Sequence, residues 1–190
     1  MLRVEEVLEK IFLEHGFLRM TTRELARRAR CSKRDLYALA PSRDELFKRI
    51  VARYLSRIER DMVDAAHNSR DPSSALAAYL DAAVRDTRAA STDFVRDLHA
   101  FTPTRTLFRR VQKKRVEGLE EILESGARTG IFNPIHPKVV AEVMLLAAAR
   151  MSDPRFLADA DLSMSRAYEE LIRLVNHGLL ANTPRKLRRP

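Results

Sequence analysis

The chain has 190 residues, 45% hydrophobic and 32% charged, with a formal net charge of +9; this composition excludes a wholly disordered protein and suits a helical globular one with a real core. No apolar run approaches the roughly 18 residues of a membrane span, the opening MLRVEEVLEK lacks the apolar run of a signal peptide, and a single cysteine excludes an internal disulfide, so a cytoplasmic protein is expected. The positive balance fits a polyanionic partner or simply a solvated surface, and its location must decide between them.

Helical periodicity runs through the chain and no strand pattern competes with it. Val4, Val7, Leu8, Ile11 and Phe12 form one apolar stripe, predicting a helix from about Arg3 to His15 with Gly16 at its left-handed stop. Thr21-Thr22-Arg23-Glu24 has the form of a capping box and opens a second helix, with Leu25, Ala26 and Ala29 on one face and an end near Arg30. Ser32 opens a third, with Leu36 and Leu39 inward, and Pro41 stops it. Ser42 opens a long fourth helix reaching about Ala66, with Phe47, Ile50, Val51, Tyr54, Ile58 and Met62 as its buried stripe. Asp71-Pro72 starts a helix running to about Ala89. A shorter one from Thr92 to Phe101 should end at Pro103. Helices over Thr104–Arg128, Pro137–Met151 and Asp161–Leu180 follow, with Pro154 as an interruption.

Residues 1–47 are therefore expected to form a compact set of short helices and residues 48–182 a larger helical body, the fourth helix belonging to both. The basic tail 183–190, TPRKLRRP, is expected to be disordered. The basic run Arg105, Arg109, Arg110, Lys113, Lys114 and Arg115 reads as a solvated face.

Thr21 to Leu39 has the order helix, turn, short helix, a helix-turn-helix pattern. In that motif the second helix enters the DNA major groove and its first residues face the bases; here they are Lys33, Arg34 and Asp35. Lys33, Arg34 and Tyr37 share the outer face. The cations can donate to guanine O6 and N7 or to phosphate, and the Tyr37 hydroxyl to phosphate. Helix starts after Thr21 and Ser42 attract phosphate through free amides. Arg23 and Arg43 lie in those first turns, where a cation opposes the helix dipole unless a phosphate joins it. Thr21, Thr22, Arg23, Ser32, Lys33, Arg34, Asp35, Tyr37 and Arg43 are thus the candidate DNA contacts; Arg27 and Arg28 read as solvated charges. No protease, esterase or nucleotide-binding motif occurs and the five histidines are scattered, so no catalytic residue, metal ligand or cofactor is assigned. Cys31 is expected to pack in the turn.

The stretch from Val7 to Phe47 resembles the N-terminal DNA-binding domain of the TetR (tetracycline repressor) family. The matching elements are Phe12, Gly16 and Phe17, then Thr21 with Glu24-Leu25-Ala26, Ala29 with Ser32, Leu36-Tyr37, and Ser42-Arg43-Asp44-Glu45-Leu46. Three positions depart from the family pattern: Arg30 where Gly is usual, Ala40 where Phe is frequent, and Arg43 where Lys is usual. Arg30 must hold left-handed angles or reshape the turn, and it adds a candidate phosphate contact. Something other than an aromatic ring must fill the volume at Ala40.

The resemblance implies an all-α fold: a three-helix DNA-binding domain followed by a larger ligand-binding and dimerisation domain, working as a homodimer on a palindromic operator in double-stranded DNA. It also implies a pocket in the body for a small ligand, expected to be hydrophobic. Phe94, Leu98, Phe101, Phe108, Met144 and Met151 are its candidate lining, with plain core as the other reading; His99 reads first as a solvated or core histidine and otherwise as a group that orients a polar ligand. Val143, Leu146, Leu171, Leu174 and Val175 are the candidate dimer interface, because the helix from Pro137 to Met151 is apolar nearly all round and needs a second partner. The expected function is a ligand-released repressor; the alternative is a helical small-molecule-binding or scaffold protein of the same fold that has lost specific DNA binding.

Overall fold

The computed structural model describes residues 2–179; the tail assigned to 183–190 lies outside them. Ten helices form among the described residues: α1 (Leu2–His15), α2 (Thr22–Arg28), α3 (Lys33–Leu39), α4 (Arg43–His67), α5 (Pro72–Thr87), α6 (Thr92–Ala100), α7 (Thr102–Arg128), α8 (Pro137–Met151), α9 (Pro154–Asp159) and α10 (Met164–Leu179). None is long and apolar enough to cross a membrane.

Most boundaries follow from local chemistry. Gly16 takes φ +71° after α1, the left-handed stop glycine tolerates without a Cβ penalty. Thr21, Ser32, Ser42 and Asp71 each accept an amide of the first turn that follows, satisfying donors the helix leaves open. The box expected at α2 is only half made: Glu24 does not reach back to Thr21 but accepts Arg28 at 2.8 Å, one turn on. Helix α2 ends in a Schellman arrangement, with the Cys31 amide donating to the Ala26 carbonyl (3.0 Å) and the Arg30 amide to Arg27 (3.3 Å). Arg30 stands where glycine is preferred and takes φ +51°.

Two prolines act as starts where stops were expected. Pro103 occupies the first turn of α7 rather than terminating α6, and Pro154 opens α9 behind an Asp153 cap. At N1 a proline's missing N–H costs nothing. Helix α10 begins at Met164, three residues later than expected, because Asp161 takes φ +51° in the turn before it.

One continuous core joins the short helices to the body. Phe12, Phe17 and Phe47 pack with centroids 5.1–5.5 Å apart, and Phe17 also meets Phe94 at 6.1 Å and Phe101 at 6.4 Å, both from the body. Ala40 is buried at this core's edge. The buried carboxylate of Asp97 on α6 accepts the Phe17 and Leu18 amides at 2.7 and 2.9 Å, and the Ser91 amide donates to the Leu13 carbonyl at 2.8 Å. A Cβ on Gly16 would sit 2.6 Å from Asp97 Oδ2, so glycine is needed for this close approach as well as for its φ.

A second seam ties α1 to α4. Arg49 pairs with Glu5 at 2.6 Å, while Glu9 pairs with Arg53 at 3.3 Å and Arg57 at 2.9 Å. Arg49 also donates to the Leu39 carbonyl at 3.0 Å, fixing the end of α3 to α4. Helix α8 was expected to be covered on two sides; among the described residues it is covered on one. Ala141 and Met144 are buried, while Val139, Val143 and Leu146 are exposed in line, with Leu174 of α10 also exposed.

Candidate nucleic-acid interface and body cavity

Helix α3 starts with a complete capping box. The Asp35 amide donates to Ser32 Oγ at 3.1 Å, and the Ser32 amide and hydroxyl donate to Asp35 Oδ2 at 2.7 and 2.8 Å. Those hydrogen bonds, aided by Arg34, hold the Asp35 carboxyl below its usual range. Ser32 and Asp35, both assigned to DNA from sequence, are thus committed to shaping the helix start, and Lys33 and Arg34 are what that start presents. Both are exposed, as is Tyr37 at 55%.

Residues 19–43 hold eight Arg and Lys against two acids, Glu24 and Asp35, so much of the chain's positive balance lies here. Glu24 is taken by Arg28. Among the described residues no carboxylate lies within ion-pair distance of Arg23, Arg30, Lys33 or Arg34, and all four are exposed. Arg27, four residues from Arg23 on one face of α2, is likewise exposed, as its reading from sequence as a solvated charge expects. Thr21 is exposed and Thr22 half-buried at the same helix start. Arg43 differs, being 3.6 Å from Asp44 and stacked over Phe47 with its guanidinium carbon 5.2 Å from the ring centroid. Cys31 is half-buried in the turn, and burial, then Asp35, raises its thiol pKa; the reactive thiolate is disfavoured, as packing requires.

Inside the body two small cavities lie on either side of Tyr168. The first holds about 50 Å³ between Met62, Tyr79, Leu80, Arg115, Met144 and Ile172, among others. The second holds about 10 Å³ among Tyr54, Ile58, Phe94, Leu98, Phe108 and Met164. Arg115 and Tyr168 line both. Between them runs a buried polar chain. Arg115 Nη1 donates to Gln112 Oε1 at 2.6 Å, Gln112 Nε2 donates to the Tyr168 hydroxyl at 3.1 Å, and Ser152 Oγ is 3.1 Å from that hydroxyl. The Tyr79 hydroxyl donates to the Arg115 carbonyl at 2.5 Å; burial pushes its pKa up to about 12, against the pull of Arg115.

Residues 6–50 match the family model described as bacterial regulatory proteins, tetR family. The N-terminal domain is a TetR-family domain. No curated protein matches the chain. Solved structures share its fold over nearly the whole length. A transcriptional regulator from Saccharomonospora viridis in complex with choline is 13% identical, at a TM-score of 0.72, covering 95% of this chain and 97% of that one. The reduced form of E. coli NemR is 15% identical, at 0.73, covering 96% and 98%. A TetR/AcrR-family regulator from Thermobifida fusca is 20% identical, at 0.67, covering 93% and 96%. The all-helical fold of these structures therefore extends through the body.

On this frame the sequence-assigned pocket residues divide. Phe94, Leu98 and Phe108 line the smaller cavity, Met144 the larger, and Phe101 and Met151 line neither; Phe101 instead packs on Phe17. His99 lies outside both, its ring 5.4 Å from Phe108 and its Nε2 buried without a hydrogen-bond partner among the described residues. Burial lowers its pKa, Arg109 and Arg105 adding to the effect and Asp153 opposing it. Arg115, read from sequence as part of a solvated face, turns inward. Its spacing carried the signal, since Val111, Arg115, Leu119 and Leu123 recur every four residues along α7 and the other three are buried. A cation on an apolar stripe marks a functional position more sharply than another phenylalanine does.

Proposed function

We propose that this chain is a cytoplasmic, ligand-responsive repressor that binds a palindromic operator as a homodimer and releases it when a small, largely hydrophobic ligand enters the body. The observation that carries the reading is the set of exposed cations without carboxylate partners around the start of α3, on a helix fixed by a capping box and by Arg49. Phosphates and guanine edges supply the acceptors the protein withholds.

The exposed face of Val139, Val143 and Leu146 with Leu174, flanked by half-buried Leu171 and Val175, supports pairing of α8 and α10 with a second copy, since apolar patches of this kind mark interaction sites. A twofold dimer would set two copies of α3 about 34–36 Å apart, or at a helical multiple of that distance. Helix α4 carries the signal: it lends Met62 to the larger cavity and Tyr54 and Ile58 to the smaller, while its Arg49 holds the end of α3. The larger cavity, near 50 Å³, is far below the roughly 300–1,000 Å³ of ordinary ligand sites. A ligand therefore binds a widened body better than the compact one, which is the differential affinity release requires. The choline bound by one relative supports a ligand-holding body in this fold.

Selection of duplexes from a random pool tests the reading. A palindrome with evenly spaced half-sites is expected; recovery of no consensus at low salt would favour the alternative in which specific DNA binding has been lost.

A further inference from the structure

We propose that the body cavity is built for an amphipathic anion: a carboxylate, or a group of like charge and shape, held by Arg115, with an apolar tail along Met62, Leu80, Leu119 and Met144. This rests on the reading of the body as a ligand-binding domain and names the class of ligand.

The charge balance around Arg115 leads to this assignment. A guanidinium stays protonated at any physiological pH, and removing it from water without a counter-charge is costly. Arg115 is half-buried and lines both cavities, yet among the described residues no carboxylate pairs with it. The two acids whose charge reaches its neighbourhood, through Tyr79, are Glu59 and Glu121. Glu59 is held by Lys114 at 2.9 Å, and Glu121 is exposed. The side-chain acceptor Arg115 does have is neutral, Gln112 Oε1 at 2.6 Å, and its charge rests 5.9 Å from the Tyr168 ring centroid. A planar cation with several unused donors thus faces an almost wholly apolar space.

A carboxylate is the complement of that fork and accepts from it through two parallel hydrogen bonds. It would displace the Gln112 oxygen, and the Gln112 amide and the Tyr168 hydroxyl, already hydrogen-bonded at 3.1 Å, supply further polar contacts beside it. The surrounding Leu and Met side chains can take an alkyl tail of variable shape, methionine being the most adaptable of apolar residues. Met62 lies on α4, so a tail that parts these residues pushes on the helix leading to α3. A neutral hydrocarbon would leave the guanidinium uncompensated, and a quaternary ammonium would meet like charge.

The test uses the full chain with three probes of equal tail length: octanoate, octan-1-ol and octyltrimethylammonium, titrated by calorimetry. Octanoate is expected to bind about tenfold or more tighter than the alcohol, and the ammonium weakest. Arg115→Gln should reduce octanoate affinity to that of the alcohol, and Arg115→Lys, which keeps the charge but loses the fork, should retain part of the preference. Equal binding of acid and alcohol, a preference for the ammonium, or an undiminished octanoate preference in Arg115→Gln overturns the proposal. If Arg115→Gln fails to fold, the wild-type probe ranking and the Lys variant still decide. Binding of none of the three overturns the anionic site and leaves the DNA-binding reading to the duplex selection.

Discussion

The face presented by α3 and the cavity behind α4 are opposite constructions. The first is exposed, contiguous in sequence and rich in cations whose partners must come from outside. The second lies within the body, assembled from α4, α5, α7, α8 and α10, and is apolar except for Arg115 and a short polar chain. Each leaves positive charge uncompensated, but at very different cost. Water solvates Arg34 freely, whereas the half-buried Arg115 guanidinium has, among the described residues, an amide oxygen and a ring beside it. A single exposed cation without a partner is ordinary; a cluster of them around one helix start, like a half-buried one, points to a partner from outside.

The comparison breaks first at DNA. Replacing Lys33 and Arg34 together with Ala should weaken binding to the selected duplex by roughly 10²-fold or more, each base contact contributing about 1–3 kcal/mol. Thermal stability should change by less than about 0.5 kcal/mol, because both side chains are exposed; an equal loss of affinity on a scrambled duplex would make them phosphate contacts only. The joint between the two regions comes next. Asp97→Ala strands the Phe17 and Leu18 amides, and a loss of about 2–4 kcal/mol by chemical denaturation is expected. Asp97→Asn keeps an acceptor and should cost less; equal costs would mean that packing, not hydrogen bonding, holds the joint.

Smaller effects sharpen the contrast. Arg30→Gly removes a Cβ from a left-handed position, stabilising the fold by about 0.5–1 kcal/mol. If Arg30 also meets phosphate, the same change lowers the magnitude of the salt slope of DNA binding by about 1; an unchanged slope makes the residue purely a turn position. The smallest effect is expected at His99. Its folded pKa is depressed, chiefly by burial, so the unfolded chain takes up the proton first. The stability it contributes is complete above its usual pKa of 6.5 and is lost as pH falls through the folded value. Melting from about pH 7.5 to 5.5 should show a shallower decline in His99→Gln than in the wild type.

The two regions also differ in how far sequence alone could reach them. Thr21, Ser32, Ser42 and Asp71 cap the helices they begin because a short polar side chain acts on amides two or three residues away, an interaction written in adjacent letters. The bound faces of α1 and α4 were legible from apolar spacing, yet the ion pairs from Glu5 and Glu9 to Arg49, Arg53 and Arg57 were not, because they span more than forty residues. The cavity fared worst: Tyr79, Gln112, Arg115 and Tyr168 meet only after three helices, α5, α7 and α10, pack. Phe94, Leu98 and Phe108 were found for their size, while Phe101 was drawn away to Phe17. Proline misled twice, since Pro103 and Pro154 both lie in first turns; Asp153 marks the second start as a cap, whereas no side-chain cap marks the first.

Asp97 and Phe17 bear on how the molecule comes apart. The carboxylate of one lobe closes the backbone of the other, and a single phenylalanine is shared between their ring clusters. Neither lobe can lose its order without exposing orphaned amides or apolar surface in its neighbour. Calorimetry of the whole chain should therefore trace one endotherm, with calorimetric and van't Hoff enthalpies in agreement, and amides of the helix-turn-helix should exchange with the same opening free energy as those of α5.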